Sequence, residues 1–426
     1  MTAGTAWRAV GANRALAVLL GAGLPVEIAA AANLVLRVGS VNTSGGGVLG
    51  MGAAFAAMSL AFAVAVIPAG MLVDRTPARS TFAAALALRA LPILAGGVLA
   101  LTGTLSTGAV ITLAAADGVA MALLRPSWQH FQACLVTVEA ARDAAVLDDW
   151  IARVGGLFGA LAGGAAVALG LTGAALIACA TGFCPLLACL ALGLGSALRQ
   201  PISAATSYRT LGGAWSALRS VPRLAQATRA DVVLALAVPV GVLAPAMTVA
   251  VSAVNHLWLI ALAAGVGALA GTSWVTFVWN RTCPTRLLRR AATVLVVVLA
   301  VQAAALAGGS FTPTTGWLVA AFVAVALTEG ATAAMFAVTS SLVQAGAPES
   351  ARGVVTALAQ GGKHLATFGS ASAVGLMMAW AGPAVAITVV AVAVAVAVIV
   401  LRGFAGVADA PAPVHRSIAV AAFAAA

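Results

Sequence analysis

The sequence predicts an all-α membrane protein in which twelve transmembrane helices form two pseudo-symmetric six-helix halves. Three observations carry this. First, 62% of the 426 residues are hydrophobic, and only 22 are basic and 11 acidic. A soluble chain carries about 25% charged residues, and a disordered one is poor in apolar residues, so a soluble enzyme and a disordered chain are both excluded. Second, the apolar residues run continuously, as from Ala384 to Leu401, and not in the short alternating segments of a membrane β-barrel. Third, the arginines gather in every second gap between apolar runs, which is the mark of a membrane topology.

Twelve apolar segments span approximately 15–36, 47–70, 81–101, 109–131, 151–172, 174–198, 232–254, 257–279, 291–308, 317–343, 354–380 and 383–401. Each is near the ~20 residues that cross a bilayer. The fifth and sixth are parted only by a turn near Gly170 to Gly173. The longest polar interval divides the segments six and six. It gives an N-terminal half at 14–199, a basic linker at 200–230, a C-terminal half at 231–403 and a tail at 404–426. The tail's closing apolar run is too short to span. In the linker, Leu211, Trp215 and Leu218 fall at helical spacing with Arg209 and Arg219 on other faces. That suits either an amphipathic helix on the inner leaflet or a solvated basic loop. The first apolar run is too long for a signal-peptide core, so no cleavable signal peptide is expected.

The gaps after the even-numbered segments hold Arg75, Arg79, Arg142, Arg199, Arg209, Arg219, Arg223, Arg229, Arg281, Arg286, Arg289, Arg290 and Arg352, whereas the opposite gaps hold only Arg37. Positive residues stay on the cytoplasmic side. The expected protein is therefore a multi-pass component of the cell (plasma) membrane with both termini and the linker cytoplasmic. The net charge of +11 reflects this topology, and no nucleic-acid partner is expected. The five cysteines form no C-x-x-C pair and have no histidine at ligand spacing. They read as small apolar fillers, with no metal site.

The two halves repeat. Glu139, Arg142 and Arg153 match Glu349, Arg352 and Lys363, Asp117-Gly118 matches Glu329-Gly330, and Asp74-Arg75-Thr76 weakly matches Asn280-Arg281-Thr282. A parallel repeat of six spans and six, related by an axis along the membrane normal, is a transporter architecture.

Motifs then narrow the class. Gly70-Met71-Leu72-Val73-Asp74-Arg75-Thr76-Pro77-Ala78-Arg79 lies between the second and third segments. It resembles the signature G-x-L-a-D-R-x-G-R-[KR] of the major facilitator superfamily. Pro77 stands where that signature has glycine, and Ser80 replaces its final base. The runs around Glu139 and Arg142 and around Glu349 and Arg352, together with Arg125-Pro126, are similar to further patterns of that superfamily. The resemblance covers about residues 14 to 403. It implies the major facilitator fold and a cytoplasmic latch between the halves, made by Gly70, Asp74, Arg75, Arg79, Glu139, Arg142, Glu349 and Arg352. An acid there can cap a helix N-terminus, and arginines can tether a loop to carboxylates or lipid phosphates. Gly155, Gly159, Ala160, Gly163 and Gly164 open the fifth segment and resemble the antiporter signature G-x-x-x-G-P-x-x-G-G, with Ala160 in the proline position. Two readings of these glycines stay open: the mark of a drug or metabolite exporter, or generic close packing of small residues.

Ionisable residues inside spans are functional candidates by default, because an unpaired charge there is costly. Glu27, Asp117, Glu329 and Lys363 meet that description, with Asn33 and His364 as weaker polar members of the same cavity. Glu27 has no local counter-charge and is the first candidate for a proton carrier. Glu329 and Lys363 are placed to pair across adjacent spans. Arg89 and Arg125 are expected to lie nearer the inner end and snorkel.

The expected function is secondary active transport of a small organic molecule by alternating access, as proton-coupled efflux. A proton-coupled uptake symporter and a non-transporting membrane sensor or scaffold on the same fold are the alternatives. There is no Walker motif, so a proton gradient is the expected energy source, with no cofactor. The motifs of membrane-embedded hydrolases are also missing, so no enzyme is expected. The expected partners are the lipid bilayer, the substrate and protons, with the chain working as a monomer.

Overall fold

The computed structural model describes residues 14–73, 75–135, 138–193, 212, 215–216, 219, 222–237, 257–278, 284–307, 315–346 and 352–402. These residues form helices and connecting turns. In chain order the helices are α1 (Arg14–Thr43), α2 (Gly47–Val73), α3 (Ala78–Leu101), α4 (Thr107–Leu135), α5 (Val138–Ala168), α6 (Thr172–Thr181), α7 (Cys184–Ala191), α8 (Pro222–Ala237), α9 (Leu257–Val278), α10 (Pro284–Ala307), α11 (Thr315–Gly346), α12 (Arg352–Ala381) and α13 (Pro383–Arg402). Among the described residues, 8 helical stretches are long and apolar enough to cross a membrane, with α6 and α7 counted as one. Leu91, Val64 and Val301 are among the large apolar side chains left on the outside, as a lipid-facing surface requires.

The helices overrun the apolar segments where polar residues can continue them beyond the bilayer. α1 extends to Thr43, so Arg37 lies inside a helix and not in a gap. α5 begins at Val138, which places Glu139 and Arg142 in its first turns and not in a loop. Arg352 opens α12 in the same way. The sixth segment is two helices, broken at Gly182 and Phe183 just ahead of Pro185. α8 starts at Pro222, inside the interval read as linker, and carries Asp231 in its body. In the linker, Arg219 sits over the Trp215 ring at 5.0 Å. The two therefore share a face, as residues four apart on a helix do, and not different faces as expected.

Packing follows a repeated plan. α1 lies against α5, and α8 against α12; α2 against α4, and α9 against α11; α3 against α4 and α6, and α10 against α11 and α13. The principal contacts between the two sets are α2 with α12 and α5 with α9. Lipid offers no hydrophobic drive for helix association, so close approach of small residues must supply the contact. On α5, Gly155 faces the Cβ of Glu27, Gly159 faces the carbonyl of Ile28, and Gly163 faces the backbone of Ala32. These glycines are a packing seam onto α1, and Gly164 is buried as well. Gly118 faces the backbone of Met58, and its repeat partner Gly330 faces the backbone of Gly267, so both glycines serve the same kind of crossing. Aromatic contacts fill the wider gaps: the Phe82 ring centroid is 5.1 Å from Trp128 and 5.2 Å from Phe131.

Candidate substrate and coupling site

Two clusters of charge lie inside the helices. In the first, Asp117 of α4 receives Nη2 of Arg37 from α1 at 2.6 Å on Oδ2, and Nε of Arg89 from α3 at 3.2 Å on Oδ1. One carboxylate thus ties three helices. Arg89 does not snorkel, because Asp117 draws it inward. Arg37, which looked like a loop residue, is buried in a helix for the same reason.

In the second cluster, Oδ1 of Asp231 accepts the hydroxyl of Thr339 at 2.7 Å and lies 4.0 Å from Nζ of Lys363. Lys363 also stands over the Phe336 ring at 3.7 Å, where the ring face attracts a cation. This corrects the expected pairing of Lys363 with Glu329. Asp231 is not among the sequence candidates because it stands one residue ahead of the apolar segment that begins at 232. The next residue, His364, packs its ring 3.8 Å from that of Phe62 on α2, across the contact between the two sets of helices. Its Nδ1 is buried and has no partner among the described residues.

Glu329 of α11 has no hydrogen bond or ion pair among the described residues. Its neighbour Thr328 accepts Nε2 of Gln302 from α10 at 3.3 Å. Glu27 of α1 is half-buried on the α5 seam, opposite Gly155. It too lacks a hydrogen bond or ion pair among the described residues. Pro25 lies two residues before it in the helix, and a proline there deprives the Gly21 carbonyl of its helical donor. Asn33 is buried, six residues after Glu27 and so about 120° from it around the helix, and sits on the same helix as Arg37. The six candidates therefore do not form one site. Lys363 and His364 join Asp231 at one place, Asp117 joins the two arginines at another, and Glu27, Asn33 and Glu329 stand apart.

At the α2–α3 turn, Gly70 approaches Ala357 of α12, with its Cβ position 3.8 Å from the alanine. Arg75 is exposed. Arg79 donates from Nη2 to the carbonyl of Leu190 at the end of α7, a contact within its own set of helices and not across to the other. A cation at a helix C-terminus also meets the negative end of its dipole. Asp74 and Glu349, and the side chains of Glu139, Arg142 and Arg352, lie outside the described residues. Arg153, the repeat partner of Lys363, reaches the Ala268 carbonyl of α9 at 3.5 Å, so both of these bases stand beside contacts between the two sets.

This plan of paired helices is shared with solved transporters. The nucleoside transporter NupG superposes with a TM-score of 0.65 at 14% identity, covering 92% of this chain and 98% of its own. The xylose transporter XylE from E. coli, in a partially occluded inward-open conformation, gives 0.68 at 13% identity over 91% of this chain and 96% of its own. A bacterial homologue of the iron transporter ferroportin in its inward-facing state gives 0.68 at 17% identity over 92% and 98%. No protein-family model matches the sequence. No curated protein matches it in sequence either. The chain has the fold of the major facilitator transporters.

Proposed function

We propose that the protein is a secondary active transporter that moves a small organic molecule across the cytoplasmic membrane by alternating access. In this reading twelve spans form two six-helix halves, with the boundaries 14–199 and 231–403 and a cytoplasmic linker between them. The observation that carries it is the packing plan: two sets of helices with matching internal contacts meet chiefly through α2 with α12 and α5 with α9. Two bodies joined along such seams can rock about a central site. Charged groups retained inside the helices support transport over a purely structural sensor or scaffold.

Proton-coupled efflux is the first reading of direction, from the glycine pattern of α5. Those glycines also serve as a packing seam, so uptake coupled to protons stands beside efflux as a second reading. It is supported by the similarity to a structure described as a D-xylose-proton symporter, with a TM-score of 0.66 at 15% identity. Glu27 is the proposed proton carrier, and Asp117 and Glu329 are the next candidates.

The test is proton flux across sealed vesicles containing the protein while a compound library is screened. Protons moving against a compound establish antiport, and protons moving with it establish uptake. A chain that moves neither protons nor any compound, while correctly inserted, would overturn the transporter reading.

A further inference from the structure

The cluster of Arg37, Arg89 and Asp117 does not balance. Two guanidiniums, which stay charged at any accessible pH, share one carboxylate and leave a formal surplus of one positive charge. The side chains are 11%, 12% and 3% exposed respectively, so water screens the surplus poorly. The carboxylate is fully engaged, with one oxygen on each arginine. A buried charge without compensation is strongly unfavourable.

The described residues around the cluster do not supply the missing negative charge. Arg37 is six residues from the end of α1 at Thr43, about 9 Å at 1.5 Å per residue. The described gaps at that end of the bundle, 44–46, 102–106, 169–171 and 382, contain no Asp or Glu. Glu27 lies ten residues away along α1, about 15 Å by the same rise, and Glu329 belongs to the other set of helices.

The orientation of Arg37 indicates what does supply it. Its Nη1 rests on the sulfur of Met58 at 3.5 Å, a weak acceptor that brings no charge. Beside it is a small pocket between α1, α2 and α4, lined by Arg37 with Leu34, Val41, Met51, Phe55 and Met58. Apart from the guanidinium, its walls are apolar. A phosphate or carboxylate entering such a pocket would leave oxygens without donors, at high cost. A halide is spherical, less strongly hydrated than phosphate, and has no fixed set of oxygen acceptors to satisfy, so the charge and N–H groups of the guanidinium can serve it where they cannot serve an oxyanion.

We propose that this pocket binds one halide ion, chloride under physiological conditions, which neutralises the surplus charge of the cluster. The site is independent of transport direction and of the identity of the transported molecule.

The experiment uses the full chain purified in detergent, with sodium chloride exchanged for sodium gluconate at constant ionic strength. The expected result is a saturable rise in unfolding temperature with chloride, reproduced by bromide and not by sulfate, with radiolabelled chloride binding at one ion per chain. Arg37→Gln leaves Arg89 and Asp117 matched one to one and should abolish both responses. Asp117→Asn leaves two arginines without a carboxylate and should bind chloride at least tenfold more tightly, so the proposal stays testable if Arg37→Gln does not fold. Equal stability in chloride and gluconate, a chloride response that survives Arg37→Gln, or stabilisation by anionic lipid in place of chloride would each overturn it.

Discussion

Lys363 of α12 and Thr339 of α11 converge on the same oxygen of Asp231 in α8, at 4.0 and 2.7 Å. A single acid therefore ties three helices together.

Removing one partner of this pair leaves a charge behind in the helices. Asp231→Ala should cost up to about 3 kcal/mol, the lower end of the buried-pair range because Lys363 is 20% exposed. Asp231→Ala combined with Lys363→Ala should recover most of that loss. Thermal unfolding of the two single variants and the double variant measures the coupling. Additive losses would show that the pair does not interact.

The α1–α5 seam has no room for a methyl group at Gly159, whose Cβ would lie on the Ile28 carbonyl. Gly159→Ala should lower stability by about 1–3 kcal/mol, as overpacking does. At Gly156 nothing stands within 4 Å of a Cβ, so Gly156→Ala on the same helix should show no loss. Unfolding temperatures of the two variants decide the point.

The arginine distribution predicts topology. Reporters fused after Arg79, within 199–230 or after Arg402 should read cytoplasmic, and one fused near Gly309 should read external. A cytoplasmic signal at Gly309 would remove the twelve-span arrangement from the proposed function.

Glu27→Gln keeps the size and hydrogen-bonding capacity of the side chain but cannot titrate. As the proton carrier, Glu27 predicts that this variant loses accumulation driven by an imposed pH gradient while retaining substrate binding. Vesicles of Glu27→Gln that still build a substrate gradient would make the residue a packing element of the α5 seam and pass the role to Asp117 or Glu329.

Much of the fold was legible in the sequence because lipid imposes a simple rule: long apolar runs must be helices with their backbones paired internally. The match of Asp117-Gly118 with Glu329-Gly330 survives in space at the glycines, which both sit at a close helix crossing. It fails at the acids, since Asp117 holds two arginines and Glu329 has no ion-pair partner among the described residues. Spacing records where a backbone must come close, but the partner of a charge depends on which residues the other helices bring up, eighty positions away for Arg37 and Asp117. Asp231 was lost for a related reason. A hydropathy boundary drawn just after it concealed that its helix had already begun at Pro222.

Along α2, Gly52, Val66 and Gly70 stand opposite Gly375, Gly361 and Ala357 of α12. A step of fourteen residues down one helix is matched by fourteen up the other, and a step of four by four. The contact is in effect a graduated scale laid between the two bodies of the molecule. Any rocking of one body on the other must spread one end of the scale before the other. Paired cysteines placed at successive marks would report that tilt as a gradient of cross-linking yield, with no need to know what the protein carries.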